Sequence, residues 1–152
     1  MKLTLDEILI NERLNYLDLL MMADESEEIV KAYMNNGDLF AIQLNKKTIG
    51  VALFIEVSPN EIELKNIALL PEYRGKGYGK EVILRSFKIY KSKSYNKMIV
   101  GTANSSIENI AFYQKIGFRM MHIRRDFFAN YPEPIFENGI RALDMIVFEK
   151  LL

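Results

Sequence analysis

The stretch PEYRGKGYGKEVI, Pro71 to Ile83, decides the fold, because the chain changes periodicity across its run of glycines. Before it, Ile62, Leu64, Asn66 and Ala68 alternate with Glu63, Lys65, Ile67 and Leu69, the two-residue period of a strand that stops at Pro71. After it, Lys80 to Lys91 carries Val82, Ile83, Leu84, Phe87 and Ile89-Tyr90 with no glycine or proline, which is helical in length and period. Between the two, Arg74-Gly75-Lys76-Gly77-Tyr78-Gly79-Lys80 places free backbone N–H groups at a helix start, where they converge on an anion. Glycine removes the Cβ atoms that would block close approach, and Arg74, Lys76 and Lys80 add positive charge, a combination that suits a diphosphate. A nucleotide P-loop is excluded, since Gly75-Lys76 is followed by Gly77 where Ser or Thr is required. The dinucleotide fingerprint GxGxxG fails as well: the glycines run GxGxG, and no strand–helix–strand unit with an acidic ribose reader follows.

Working outward, Lys2 to Leu5 reads as a short strand, and Leu14, Leu17, Leu20 and Met21 recur at helical spacing. Asp24 opens a second helix with Glu25, Glu27 and Glu28 at its positive end and Ile29, Ala32 and Tyr33 facing inward, stopped by Gly37. Leu39–Leu44 and Thr48–Val57 form a hairpin around Asn45-Lys46-Lys47, and Pro59-Asn60 turns the chain into the strand already described. Downstream, Met98–Thr102 is a buried strand and Ser105–Lys115 a helix ending at Gly117. Phe118–Phe128 and Ile140–Lys150 are expected to be two long strands joined by the Pro132-Glu133-Pro134 loop.

Composition sets the limits. At 152 residues with no Pro/Gly/Ser-rich linker the chain is expected to be one domain, 1–152, and 49% hydrophobic residues suffice for a core without disulfides. Lys plus Arg equals Asp plus Glu at 20 each, so charge does not direct the protein to nucleic acid. The absence of cysteine removes thiolate metal sites and a thiol nucleophile, and fits a cytoplasmic location. Only His122 could supply an imidazole; among Met120, Met121 and Ile123 it reads as a structural strand residue, and no metal is expected. No signal peptide or membrane span is visible.

A second pattern stands downstream: Asn104, Asn109, Tyr113, then Lys115-Ile116-Gly117-Phe118. Together, PEYRGKGYGKEVI and NSSIENIAFYQKIGF resemble the two cofactor-binding motifs of the GCN5-related N-acetyltransferase (GNAT) superfamily. The resemblance is specific from about Glu61 to Phe118, and the tail YPEPIFENGIRALDM looks like bacterial members without a known acceptor. It implies an α/β GNAT fold: a mixed, mostly antiparallel sheet of six to seven strands with about four helices, splayed between the strands before and after the cofactor-loop helix. Acetyl-CoA is the implied cosubstrate, its pantetheine arm lying in that gap. Arg74, Gly77 and Gly79 match the family pattern and, with Gly75, Lys76, Tyr78 and Lys80, would hold the diphosphate. The main chain of Ile67, Ala68 and Leu69 would bond the pantetheine amides in the manner of an added strand. Asn104 and Asn109 would face the pantetheine and adenosine end, although the spacing from Asn104 to Tyr113 is longer than usual for the family.

The same resemblance assigns the chemistry. Tyr113 matches the tyrosine that donates a proton or hydrogen bond to the departing thiolate, with Phe112 left to fill the core. A backbone N–H near Leu69 would polarise the carbonyl. Glu63 is the candidate base, its face on the strand left open by the neighbouring Glu61; Gly101 and Thr102 stand where many members carry a further glutamate. With no enzyme nucleophile required, transfer is expected to be direct, within a ternary complex. The loop FFANYPEPIFENGI would build the acceptor site, with Phe127, Phe128, Tyr131 and Phe136 as an aromatic wall and Asp126, Glu133 and Glu137 attracting a cationic amine. A small amine is the expected acceptor. Protein N-termini or lysines, and a non-catalytic acyl-CoA-binding module, are the alternatives. The expected partners are acetyl-CoA, that amine and a second copy in a homodimer, without nucleic acid or membrane.

Overall fold

Two corners set the first half of the sheet. Asn45 and Lys46 both take positive φ (51° and 69°), the pair of left-handed residues that matches the twist of a two-residue hairpin. The turn at Pro59-Asn60 then brings a third strand alongside. The computed structural model describes residues 2–152, and its elements run β1 (Leu3–Glu7), a 3-10 segment (Ile10–Tyr16), α1 (Leu17–Met21), α2 (Glu27–Tyr33), β2 (Asp38–Leu44), β3 (Lys47–Ser58) and β4 (Glu61–Leu69). A 3-10 turn (Pro71–Tyr73) leads to α3 (Tyr78–Ser92), β5 (Lys97–Ala103), α4 (Ile107–Ile116), β6 (Arg119–Arg124), the short β7 (Phe136–Glu137) and β8 (Ile140–Arg141), and β9 (Met145–Leu151).

Seven strands form one sheet in the order β1-β2-β3-β4-β5-β9-β6, and β7 pairs with β8 apart from it. Every neighbouring pair in the sheet is antiparallel except β4 and β5, which the α3 crossover makes parallel. That one parallel ladder is short. It runs from Glu61↔Lys97 to Leu64↔Val100 and stops, so Lys65–Leu69 and Gly101–Ala103 part company. The expected α/β fold, with its splay between the strands flanking α3, is the fold observed.

One core packs α3 and α4 against one face, through Val82, Ile83, Tyr90, Tyr113 and Ile116; the other packs α1 and α2 on the opposite face, through Leu20, Val30, Tyr33 and Met34. β4 changes allegiance between them. Leu53 pairs with Asn66 and the next residue, Phe54, pairs with Leu64, which leaves Lys65 as a bulge. Before the bulge the even residues Ile62 and Leu64 face α3; after it Ala68 belongs to the α2 core while Ile67 and Leu69 pack toward α3. Burial alternates without a break through the bulge, which conceals the reversal. Glu61, Glu63, Asn66 and Ala68 therefore share the α2 face, which settles the face that the sequence leaves open for Glu63.

Several sequence expectations need correction. Leu14 was expected inward but is 65% exposed, because the segment is 3-10 and turns Arg13 inward instead, where its guanidinium donates to the carbonyls of Ile8, Met34, Asn36 and Gly37. α2 is capped by Ser26, whose Oγ accepts from the Ile29 N–H at 3.3 Å, and not by Asp24; Val30 and Tyr33 are buried while Ala32 is exposed. The two long C-terminal strands are cut back to β6 and β9. Asp126 takes φ 61° and its N–H bonds the Asp144 carboxylate at 2.9 Å, while the Phe128 N–H bonds the Leu143 carbonyl, so the chain folds over before β7.

Candidate active site

The gap between β4 and β5 is the centre of the site. At one end stands the glycine loop. Gly75 and Gly77 take positive φ (72° and 86°), and a Cβ built on either would meet nothing within 4 Å, so the space beside the loop is open. Gly77 caps α3, whose first intrahelical bond is from the Glu81 N–H to the Gly77 carbonyl at 3.1 Å; the N–H groups of Gly79 and Lys80 stand ahead of it. The helix begins at Tyr78, two residues earlier than expected, which tightens the loop. Gly79 packs against α4: a Cβ there would lie 3.4 Å from the Phe112 ring, in van der Waals contact. Lys76 and Lys80 are exposed, and the Arg74 Nε donates to the Leu69 carbonyl at 2.9 Å, tying the loop to the end of β4. Beyond Leu64, the edge of β4 through Ile67, Ala68 and Leu69 has no strand beside it on the β5 side.

On the α3 side, Tyr113 is 6% exposed, with its ring against Phe112, Phe118 and Phe148. Burial alone pushes its phenol up to about 12. Of the two adjacent aromatics of α4, Tyr113 is the more buried, while Phe112, partly buried, packs against the same core beside Gly79.

On the α2 face lies a cavity of about 270 Å3 whose lining includes Glu61, Glu63, Gly101, His122, Arg124 and Met145. Glu61 is engaged by Lys97 at 3.9 Å, which Glu149 holds at 3.1 Å; the Glu63 side chain has no hydrogen-bond or ion-pair partner among the described residues. His122, expected as a structural strand residue, is exposed and lines this cavity. Arg124 stacks over Phe127 at 4.9 Å. That His122, Gly101, Arg124 and Met145 share one surface was not legible, because only the register Gly101↔Val147↔His122 and Ala103↔Met145↔Arg124 brings residues from three strands together.

A model of the acetyltransferase (GNAT) family matches residues 7–118. The chain belongs to that family. It is 38% identical over 130 residues to the uncharacterized N-acetyltransferase YvbK of Bacillus subtilis (strain 168), covering 85% of this chain and 84% of that protein. A GNAT family acetyltransferase from Elizabethkingia anophelis, solved with acetyl-CoA bound, superposes with a TM-score of 0.92 at 36% identity, covering 99% of this chain and 98% of that one. A Bacillus subtilis acetyltransferase solved in complex with CoA gives a TM-score of 0.86 at 35% identity, with 99% and 98% covered. This GNAT chain is an acetyl-CoA-dependent N-acetyltransferase.

Two expected cofactor residues stand differently within the GNAT frame. Asn104 uses both ends of its amide internally: Nδ2 donates to the Arg141 carbonyl at 3.1 Å, and Oδ1 accepts from the N–H groups of Leu143 (2.9 Å) and Asp144 (3.1 Å). It braces the entry to β9, with both lone pairs of Oδ1 in use and one Nδ2 N–H left over. Asn109 is exposed and makes one weak bond, Nδ2 to Thr102 Oγ1 at 3.4 Å, which leaves it available. Of the three acids expected to draw a cationic amine, Glu137 is engaged within the protein. The Glu137 carboxylate accepts from Ser106 Oγ at 2.7 Å and Ser105 Oγ at 3.2 Å beside the start of α4. Phe127, Phe128 and Tyr131 stack on one another, whereas Phe136 is 65% exposed and outside that stack.

Proposed function

We propose that this GNAT enzyme acetylates a primary amine of a small molecule, which attacks from the cavity on the α2 face while the thioester lies in the gap between β4 and β5. One observation carries the reading: the parted strands lie between an open glycine loop at the start of α3 and a cavity lined by Glu63, whose carboxylate has no partner among the described residues. When bound, acetyl-CoA supplies an activated acyl carbon and a thiolate leaving group. Gly75, Lys76, Gly77, Tyr78, Gly79 and Lys80, with Arg74, hold the diphosphate by backbone N–H groups and charge. The free edge of Ile67, Ala68 and Leu69 bonds the pantetheine amides as a strand would, and Asn109 serves the adenosine end.

Glu63 takes the amine proton, directly or through a water. It sits on the strand that bounds the gap, whereas His122 is two strands from β5, about 10 Å along the sheet. Tyr113 hydrogen-bonds the departing sulfur from the α3 side. A cavity of about 270 Å3 matches a small acceptor better than a folded protein. The floor of that cavity is testable. A Cβ on Gly101 would fall 2.3 Å from the Met145 Sδ and 2.8 Å from its Cγ. Gly101→Val is therefore expected to push Met145 into the cavity and lower kcat/KM for the amine about tenfold, with acetyl-CoA affinity changed less than about twofold.

The function itself is tested by coenzyme A release from purified enzyme with acetyl-CoA and a panel of diamines, amino acids, amino sugars and short peptides. Release with small amines in preference to peptides is expected. Release with peptides alone would move the acceptor to protein N-termini or lysines, and binding of acetyl-CoA without release would leave a non-catalytic module.

A further inference from the structure

The cavity on the α2 face carries free charge at both ends, and the two ends differ in sign. Glu63 stands at the β4 end with no partner among the described residues, whereas Glu61 beside it is engaged by Lys97. Arg124 stands at the other end, on the last residue of β6. Its guanidinium carbon lies 4.9 Å from the centre of the Phe127 ring, and it has no hydrogen bond or ion pair among the described residues. Neither Asp126, two residues along the chain, nor Asp144, next to Met145, pairs with it.

The stack sets this arginine in place. Phe127 packs on Phe128 at 4.9 Å and Phe128 on Tyr131 at 5.3 Å, and the Tyr131 hydroxyl donates to Asp24 at 3.3 Å. The aromatic ring covers the flat face of the guanidinium and leaves its N–H edge free, and that edge takes a carboxylate by two parallel bonds. The register then sets a length. Arg124 pairs with Met145 and Met145 with Ala103, so Arg124 stands directly across the sheet from the part of β5 that borders the gap. Two strand spacings separate them, about 10 Å. Gly101, Met145 and Val147 lie between, an apolar floor that suits methylene groups.

We infer that the acceptor is an ω-amino acid, with its amine at the gap beside Glu63 and its carboxylate held by Arg124. The inference rests on the transfer reading above and narrows its small amine to one that ends in a carboxylate. An α-amino acid carries both groups on one carbon and cannot occupy both ends of the cavity. A diamine would set its second ammonium against the guanidinium, a like-charge contact. The carboxylate takes no part in transfer: the nitrogen bonds the acyl carbon, the C–S bond breaks with its electron pair on sulfur, and the amine proton passes to Glu63. Arg124 acts on binding and orientation alone.

The test compares three amines of matched chain, δ-aminovalerate, n-pentylamine and cadaverine, which end in a carboxylate, a methyl group and an ammonium, with glycine as the short amino acid. Coenzyme A release is measured for wild type, Arg124→Gln and Arg124→Glu. Wild type is expected to favour δ-aminovalerate over each of the others at least about tenfold in kcat/KM, the size of a lost charge-assisted pair. Arg124→Gln should bring the ratio of δ-aminovalerate to n-pentylamine within about threefold of unity, by loss on δ-aminovalerate, and Arg124→Glu should turn the preference toward cadaverine. An arginine that only supports β6 would lower all three rates together and leave their ratios alone. Unchanged ratios in the two variants therefore overturn the inference, as does a wild type that uses n-pentylamine, cadaverine or glycine as well as δ-aminovalerate. A wild type that releases no coenzyme A with any amine overturns the transfer reading and this inference with it, whereas transfer without regard to the carboxylate overturns the inference alone.

Discussion

Tyr113→Phe is expected to lower kcat about 100-fold while acetyl-CoA affinity stays within about twofold, the loss typical of removing one hydrogen bond made to charge that develops in the transition state. The ring is held by Phe112, Phe118 and Phe148, and phenylalanine keeps those contacts, so thermal stability should not move. The phenol pKa of about 12 defines the role more narrowly than the sequence did. An ordinary thiol titrates near 8.5, so full proton transfer to the thiolate would run uphill by roughly 5 kcal/mol. On the proposed transfer reading, Tyr113 would therefore serve as a hydrogen-bond donor to the sulfur and keep its proton. Because its pKa is raised, the donor form is complete below about pH 11. The pH profile of kcat should then rise with deprotonation of the amine side and show no fall up to about pH 10. A descending limb at lower pH, or unchanged turnover in Tyr113→Phe, would remove this assignment.

Gly77→Val is expected to raise the dissociation constant for acetyl-CoA about 100-fold or more. At φ 86° a β-branched residue is strained by about 1–3 kcal/mol, and relief requires the loop to move. Nothing in the protein blocks the new side chain, since no atom lies within 4 Å of the ideal Cβ, so it would project into the space kept for the diphosphate. Two lost charge-assisted bonds at about 1.5–3 kcal/mol each account for the size of the effect. The loop is exposed, so the unfolding midpoint should change little; isothermal titration beside a melting curve separates the two. Retained affinity would place the diphosphate elsewhere.

The parts of the site legible in the sequence are the local ones. The glycine loop declares itself because Gly75, Gly77 and the start of α3 lie within a few residues of one another, and the strand ahead of it ends at a proline. The β4–β5 gap followed only from the family resemblance, since it depends on a ladder that stops. The reversal of β4 at Lys65 is marked in the sequence only by the shift of large apolar residues from even positions (Ile62, Leu64) to odd ones (Ile67, Leu69), a change that the unbroken alternation of burial masks. The bracing role of Asn104 was hidden for another reason: its partners Arg141, Leu143 and Asp144 lie about forty residues away and are joined to it by the fold-over at Asp126. Phe112 and Tyr113 are adjacent aromatics on one helix, and the one turned inward is set by Phe118 and Phe148, which spacing does not reveal. His122 entered the sequence reading as a lone imidazole in an apolar run; the register of three strands makes it part of the cavity wall.

Direct passage of the acetyl group across the gap, from a thioester held by the glycine loop to an amine on the α2 face, is the central claim. Initial rates measured over a matrix of acetyl-CoA and amine concentrations test it most directly. Intersecting reciprocal plots, with no acetylated enzyme detectable by mass spectrometry before the amine is added, are the predicted result. Parallel plots together with an acetyl group on the enzyme would contradict it.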